Sequence, residues 1–199
     1  SEGNVGILVA DVSGHSISSG IMMAITRGLL QSEAIRNKSP SQLLRDVNRI
    51  LFSDLMSSEL FITMAHFLYS PESRWLSFVN GGHNPPVLLR AGSDEPKLLD
   101  ADGMAIGFLP DVEFEEKGWE LAPGDLLVAY TDGLVEAENE QGTPFGMDRL
   151  LHYIRGARHE PAAEILEGLR EAAMEHIGGE DPQSAQQDDL TLVVLKAKV

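Results

Sequence analysis

The stretch "VGILVADVSGHS", residues 5–16, runs from apolar residues into an aspartate and then into small and polar residues. Its first six residues have the length of a β-strand, and a continuous apolar run predicts a strand covered on both faces. Asp11 and Val12 follow that run directly. A buried strand that ends in a carboxylate needs a partner for the charge, and the rest of the sequence indicates what that partner is.

Two further places in the sequence bring an acid to the end of an apolar strand. Asp132 follows "LLVAY", and the pair Asp188 and Asp189 precedes "LTLVVLK". An Asp at one such boundary is most often only a turn residue. Three aspartates that each lie at the end of an apolar strand favour a shared site instead.

A shared site of this kind predicts a divalent cation, because carboxylates about 4 Å apart repel each other by about 4 kcal/mol at an effective dielectric of about 20. Carboxylate and carbonyl oxygens suit Mg²⁺ or Mn²⁺, whereas zinc prefers His and Cys ligands, which this sequence does not cluster. Such an ion lowers the pKa of a coordinated water and clamps phosphoryl oxygens. The pattern therefore predicts phosphate ester hydrolysis without a side-chain nucleophile.

The composition limits the classes of function. The chain has 199 residues and 43% hydrophobic content, which predicts one domain over residues 1–199. Its formal net charge of -16 disfavours nucleic acid as a partner. It contains no cysteine, which excludes a cysteine nucleophile, and no apolar run approaches the roughly 20 residues that span a bilayer. We therefore expect a cytoplasmic protein without membrane insertion.

Two helices are predicted after the first strand. Apolar residues at helical spacing predict the first over about residues 17–36, with its stripe packed mainly in the core. The second begins with Ser39 as N-cap, Pro40 at the first position and Gln42 completing a capping box. The apolar stripes are Ile17, Ile21, Ile25 and Leu29 in the first helix, and Leu43, Leu44, Val47, Ile50 and Leu51 in the second.

The remaining pattern is mostly of strands. A hairpin is predicted from "FITMAHFLY" and "RWLSFVN", joined by "SPES", and "PVLLR", "LLVAY" and "LTLVVLK" are further strands. Helices are predicted over residues 148–156 and 161–177, and a loop over residues 178–187. Because the helices are clustered and do not alternate with strands, the order favours an α+β fold with antiparallel sheets.

These motifs, in their order, resemble the PP2C-like, metal-dependent protein Ser/Thr phosphatases of the bacterial SpoIIE/RsbU type. The resemblance runs through "VADVSGHS", "IMMAITRGLL", "FITMAHFLY", "VNGGHNPPVLL", "GMAIGFLPD", "GDLLVAYTDGLVEAENEQGTPFG" and "QQDDLTLVVL", across almost the whole chain. It implies an α-β-β-α sandwich of two antiparallel sheets flanked by helices, with a binuclear Mn²⁺ or Mg²⁺ centre.

The resemblance also implies the roles of the acids. Asp11 would bridge both metal ions, and the carbonyl of Val12 would bind the second. Asp132 and Asp188 would complete the ligands of the first ion, with Asp189 supporting them and not binding directly. Asp11, Asp132 and Asp188 would thus be catalytic through a metal-activated water. His15 and His83 are interpreted as structural hydrogen-bonding groups.

The family carries an upstream Gly-Asp-x-x-Asp segment that supplies an acid near the second metal. This chain opens almost directly on its first strand, so we expect an N-terminal truncation, missing upstream strands and weak or absent occupancy of the second metal site. The resemblance further implies an N-terminal sensory or receiver domain. The two helices after "DVSGHS" resemble the family's regulatory switch, which could pair with a second subunit as a homodimer.

The implied substrate is a phosphoserine or phosphothreonine on an anti-anti-sigma factor of the STAS type, in a partner-switching pathway. A pseudophosphatase that binds a partner without hydrolysis is the alternative. An upstream Gly-Asp-x-x-Asp segment would favour the enzyme, and its absence from the natural protein would favour the binding module.

Overall fold

The computed structural model describes residues 3–34, 39–178 and 188–198. The chain divides into two compact units, Ser1–His83 with Asp100–Leu121 and Asn84–Leu99 with Ala122–Val199. Within the described ranges, each unit has a four-stranded antiparallel sheet and its own helices. The elements in chain order are β1 (Val5–Val12), α1 (Ile17–Ala34), α2 (Pro40–Ser57), β2 (Ile62–Ser70), β3 (Trp75–Gly81), β4 (Val87–Leu89), β5 (Lys97–Leu98), β6 (Glu116–Glu120), β7 (Leu126–Tyr130), α3 (Asp132–Val135), α4 (Gly146–Ala157), α5 (Ala162–Ile177) and β8 (Leu192–Lys196).

The sheet of the first unit has the strand order β1-β2-β3-β6. The predicted hairpin of β2 and β3 is confirmed, and Ser70 pairs with Trp75 across its turn. The prediction that β1 is covered on both faces is wrong. In the described part of the chain β1 pairs with β2 alone, and only Val9 of its eight residues is buried. An apolar run of strand length therefore does not by itself show that both faces of the strand are covered.

Helix α1 is present as predicted, although residues 35 and 36 of the predicted span lie outside the described residues. The packing of its stripe was predicted wrongly for the three isoleucines, whereas Leu29 packs against the core as predicted. Ile17, Ile21 and Ile25 are 84%, 56% and 48% exposed, whereas Met22 and Thr26 are buried. The helix therefore packs through a different face, and its isoleucine stripe remains exposed.

Helix α2 begins where its capping signals predict. The Ser39 hydroxyl accepts a hydrogen bond from the main-chain N–H of Gln42 at 3.3 Å, and Pro40 follows the cap. Ile50 is exposed, so its assignment to the buried face was wrong. The other residues of the predicted stripe are buried, namely Leu43, Leu44, Val47 and Leu51.

A buried amide on α2 holds a loop of the first unit. The side chain of Asn48 is 1% exposed. Its Nδ2 donates to the carbonyls of Leu109 and Pro110 at 2.9 and 3.1 Å, and its Oδ1 accepts from the N–H of Gly107 at 2.9 Å. The amide thus satisfies three main-chain groups of a segment that has no regular secondary structure.

The sheet of the second unit has the strand order β5-β4-β7-β8. Strands β4, β7 and β8 and helices α4 and α5 were all predicted, with boundaries within two residues for the helices. The short elements β5 and α3 were not predicted. Within this unit, α4 and α5 pack their apolar faces against β7, which is buried along its whole length. Residues 179–187 of the predicted loop lie outside the described residues.

Burial strongly affects one histidine of the first unit. His66 on β2 is 7% exposed. Removal from water lowers its pKa from an ordinary value of 6.5 to about 4, and this effect outweighs the nearby Glu116 carboxylate and the Pro40 backbone, which raise the pKa. His66 is therefore neutral in the folded protein at neutral pH.

The unfolded chain binds a proton on His66 below about pH 6.5, and the folded protein binds it only near pH 4. The free energy of unfolding should therefore fall as the pH falls from about 6.5 to about 4, and His66 should account for about 3 kcal/mol of this decrease. Above about pH 6.5 the titration of His66 should not change the free energy of unfolding. Urea unfolding at about pH 4.5 and about pH 7 measures the difference. His66→Gln should remove that part of the pH dependence, whereas His152→Gln, at an exposed histidine, should retain it. Equal pH dependence in the wild type and His66→Gln would contradict the expectation.

Candidate metal centre

Asp11 is the penultimate residue of β1, where it is partly buried. It lies opposite Thr63 of β2, and Val12 lies opposite Ile62. Ser13 ends the strand with two hydrogen bonds to Phe61: its N–H donates to the Phe61 carbonyl at 2.9 Å, and its Oγ accepts from the Phe61 N–H at 3.0 Å. The position of Asp11 is therefore set by the register of β1 with β2.

A short turn joins this strand end to α1. Gly14 has a φ of +82°, a left-handed conformation that glycine adopts without strain. The Ser16 hydroxyl accepts from the N–H of Ser19 at 3.2 Å, and the Ser19 hydroxyl donates to the Ser13 carbonyl at 3.0 Å. His15 in this turn is exposed. Serine and glycine thus let the chain reverse directly after Asp11 and Val12.

Asp132 is the first residue of α3, immediately after β7 and Thr131. Its side chain is partly buried, and its Oδ1 accepts from the N–H of Gly133 at 3.0 Å. The predicted position at the end of an apolar strand is confirmed. The helical turn that begins there was not predicted, because four residues carry too little periodicity to be recognised.

Thr131 fastens the segment of Asp188 beside Asp132. Its buried hydroxyl donates to the Asp189 carbonyl at 2.9 Å and accepts from the Thr191 N–H at 2.9 Å, while its own N–H donates to the Thr191 carbonyl at 3.1 Å. The N–H of Asp189 in turn donates to Oδ1 of Asp188 at 2.8 Å. The structure therefore brings two of the predicted residues, Asp132 and Asp188, to the same end of the β7–β8 pair.

Gly133 allows this close approach. A Cβ at this position would lie 2.5 Å from the Asp189 carbonyl oxygen and 3.3 Å from that of Asp188. Only a residue without a side chain lets the two segments meet. Neither Thr131 nor Gly133 was identified as important from the sequence, although both flank Asp132 in "YTDGL".

The chemistry of these donors fits a hard cation. Asp132 and Asp188 offer partly exposed carboxylate oxygens, the ligand type that Mg²⁺ and Mn²⁺ prefer. Among the residues that the structure describes, no three His, Cys, Asp or Glu side chains are grouped so as to hold a metal ion. Asp11 and Val12 belong to the first unit. The prediction that they share a site with Asp132 and Asp188 stays a prediction.

His83 is held in the first unit by a network that the sequence did not reveal. Its Nδ1 lies 2.9 Å from the Thr63 hydroxyl, and its main-chain N–H and carbonyl both bond to the side chain of Asn80. The interpretation of His83 as a hydrogen-bonding group is confirmed. The only sequence signal was its place in "GGHNPP".

Known proteins resemble this chain along almost its whole length. The family model of Stage II sporulation protein E (SpoIIE) matches residues 1–198. Phosphoserine phosphatase RsbU of Bacillus subtilis (strain 168) is 26% identical over 196 residues, which cover 98% of this chain and 56% of RsbU. The chain thus spans little more than half the length of this curated relative.

Solved structures share the fold. The RsbU and RsbW domains of Rv1364c from Mycobacterium tuberculosis align with a TM-score of 0.83 at 20% identity, covering 98% of this chain and 52% of that one. The PP2C phosphatase domain of SpoIIE from Bacillus subtilis aligns at 0.79 and 22% identity, covering 97% and 54%. RsbX in complex with magnesium aligns at 0.71 and 14% identity, covering 98% and 81%. These likenesses confirm the α+β fold class with two antiparallel sheets.

No helix in the described ranges is long and apolar enough to cross a membrane. The family match covers nearly every residue, and 97% of the chain aligns with the solved PP2C phosphatase domain of SpoIIE. This chain therefore belongs to the Stage II sporulation protein E (SpoIIE) family and has the fold of its PP2C-type phosphatase domains.

Proposed function

We propose that this chain is a Mn²⁺- or Mg²⁺-dependent protein phosphatase that hydrolyses phosphoserine or phosphothreonine. The observation that carries the proposal is the joining of Asp132 and Asp188 at one end of the β7–β8 pair by Thr131. Two acids at one end of a strand pair can offer oxygen ligands to one ion, and carboxylates are the donors that a hard divalent ion prefers. The name of the relative RsbU, a phosphoserine phosphatase, supports the same chemistry.

The proposed ligands are the carboxylates of Asp11, Asp132 and Asp188 and the carbonyl of Val12. The roles of Asp11 and Val12 rest on the family resemblance, with Asp11 shared between two ions. A bound divalent ion would lower the pKa of a water molecule and offset the charge of the phosphoryl oxygens. The magnesium in the RsbX complex supports Mg²⁺ or Mn²⁺ as the cofactor here.

The proposed substrate is a phosphorylated anti-anti-sigma protein of the STAS type, and a sensory or receiver domain would control the reaction in the full-length protein. The presence of RsbU and RsbW domains together in Rv1364c supports a partner-switching role for this kind of domain. The proposed location is the cytoplasm, because a chain without cysteine suits a reducing compartment.

The proposal predicts metal-dependent turnover that needs Asp132. Removing a group that merely supports a metal ligand costs about 10- to 100-fold in activity, so loss of a ligand should cost about 100-fold or more. Asp132→Asn should therefore reduce phosphate release from a phosphorylated STAS protein by at least that factor in the presence of Mn²⁺. Asp148→Asn, at an exposed aspartate of α4, is the matched control and should retain full activity.

Two outcomes contradict the enzyme. Turnover that persists in chelator, or that Asp132→Asn leaves unchanged, would show that the hydrolysis is not metal-assisted at this site. A folded protein that binds the phosphoprotein without releasing phosphate would favour the alternative, a pseudophosphatase acting as a binding module.

The close packing at Gly133 predicts a second effect. The new Cβ of Gly133→Ala would meet the Asp189 carbonyl, so the segment of Asp188 must shift, and overpacking of this kind costs about 1–3 kcal/mol of stability. We expect Mn²⁺ affinity, measured by calorimetry, to fall by about 10-fold or more. Gly156→Ala in α4 is the control: its Cβ meets nothing within 4 Å, so it should retain affinity and gain a little stability. Unchanged Mn²⁺ affinity in Gly133→Ala would contradict this role.

The exposed stripe of α1 supports a homodimer. Ile17, Ile21 and Ile25 recur every fourth residue along one face of the helix and are about half exposed or more. Exposed apolar surface of this kind favours burial against a second apolar surface. A second copy of the chain offers the same stripe, and a two-fold axis would pair the two.

The dimer proposal predicts that a charge on the stripe dissociates the protein. Ile21→Glu should shift the molar mass from that of a dimer to that of a monomer in sedimentation equilibrium, because a carboxylate is costly to bury at an apolar interface. Leu98→Glu, at an exposed apolar residue of β5, should leave the dimer intact. A monomeric wild type over the whole measured concentration range would contradict the proposal.

A further inference from the structure

A buried amide locks the loop that follows β3. The side chain of Asn80 accepts from the N–H of His83 at 2.7 Å and donates to the carbonyl of the same residue at 2.9 Å. Gly82, which lies between Asn80 and His83 in the chain, has a φ of +72°. A Cβ at Gly82 would lie 2.8 Å from the main-chain nitrogen of Ala105. Both main-chain groups of His83 are therefore fixed, and the loop cannot adjust without breaking buried hydrogen bonds.

The imidazole of His83 is fixed as well. The residue is 6% exposed, and its Nδ1 lies 2.9 Å from the hydroxyl of Thr63 on β2. Hydrogen bonds therefore hold both the backbone and the imidazole ring of His83 in place. A histidine that only filled space in the core would not need these hydrogen bonds. The ring presents one nitrogen to one hydroxyl in a defined direction.

That hydroxyl belongs to the residue opposite Asp11. In the register of β1 and β2, Asp11 and Thr63 are direct partners. Directly opposite residues of an antiparallel pair point to the same face of the sheet, with Cβ atoms about 4.5–5.5 Å apart. Thr63, which is bonded to the His83 ring, therefore lies on the same face of the sheet as Asp11 and directly opposite it.

The chemistry of the three groups sets the direction of the hydrogen bonds. A carboxylate only accepts, so a Thr63 hydroxyl that bonds to Asp11 must donate its proton to it. Its oxygen then accepts from His83, which requires a proton on Nδ1 of the ring. In the opposite tautomer, which is protonated on Nε2, the Nδ1 atom would accept a hydrogen bond from the Thr63 hydroxyl, and that hydroxyl could not donate to Asp11.

We propose that His83 and Thr63 are positioning residues, which orient the Asp11 carboxylate through a hydrogen-bond chain from Nδ1–H to Oγ and from Oγ–H to the carboxylate. The inference rests on the proposed function in that Asp11 is taken as a metal ligand. Hydrogen bonds to a ligating carboxylate fix its orientation and tune its affinity for the ion. Neither residue need touch the metal or the substrate to do so.

The tautomer can be measured in the metal-free wild-type protein. The ¹⁵N chemical shifts of the His83 ring should show a proton on Nδ1. A ring protonated on Nε2 alone would overturn the proposal, because Thr63 would then donate to His83 and not to Asp11. This measurement needs no variant, so it does not depend on whether a substitution folds.

Paired substitutions separate positioning from packing. Thr63→Val keeps the shape and removes the hydroxyl, whereas Thr63→Ser keeps the hydroxyl. His83→Asn places its amide nitrogen near the position of Nδ1, whereas His83→Gln places it near that of Nε2. We expect Thr63→Val and His83→Gln to weaken Mn²⁺ binding by about 10-fold or more, and Thr63→Ser and His83→Asn to stay within about threefold of the wild type.

Calorimetry with Mn²⁺ gives these affinities, and urea unfolding in chelator shows that each variant is folded. A folded Thr63→Val protein with wild-type affinity, or equal affinities for Thr63→Val and Thr63→Ser, would overturn the inference. If Asp11→Asn abolishes Mn²⁺-dependent turnover while Thr63→Val does not change it, this inference fails and the proposed function stands. A wild-type protein that neither binds Mn²⁺ nor releases phosphate overturns the proposed function first.

Discussion

The hydroxyl of Thr131 is the hydrogen-bonding group on which the acidic end of the second unit depends. It donates to one main-chain carbonyl and accepts from one main-chain N–H of the segment that follows Asp188, so a single buried side chain holds that segment in place. A group of the same shape without the hydroxyl would remove both hydrogen bonds, each of which contributes about 0.5–1.5 kcal/mol to stability. The position of two acids thus depends on one oxygen atom that carries no charge.

In the first unit, buried amide side chains hold loops in place by hydrogen bonds to the main chain. Asn48 holds residues 107–110 against α2, and Asn80 holds the loop of His83. Loops that carry function lack the repeated hydrogen bonds of helices and sheets, so they need side chains that both donate and accept. A buried amide is stable only when these groups are satisfied, and such a network allows few arrangements. This explains how irregular segments can hold side chains as firmly as strands do.

The helix pair after β1 shows how far sequence patterns can predict packing. The start of α2 was predicted to the residue, because an N-cap serine followed by proline is a local signal that needs no distant partner. The stripe of α1 was recognised as apolar but assigned mainly to the core, and it is exposed. An apolar stripe has the same spacing whether it faces the core or a second protein chain, so periodicity cannot distinguish the two. The same limit applies to β1, whose apolar run predicted coverage of both faces although only Val9 of the strand is buried.

The sequence by itself determined the element types, the α+β class, the family and the acids at the strand ends, because apolar periodicity, capping residues and ordered motifs are properties of short segments. Only the tertiary structure decided which face of α1 is buried, that Thr131 and Gly133 bring the segment of Asp188 to the end of β7 where Asp132 lies, and that Thr63, bonded to His83, lies opposite Asp11. Each of these depends on cross-strand register and on contacts between residues far apart in the chain. The physical reason is that a hydrogen bond requires two groups within about 3 Å of each other in space, and sequence spacing does not encode that distance.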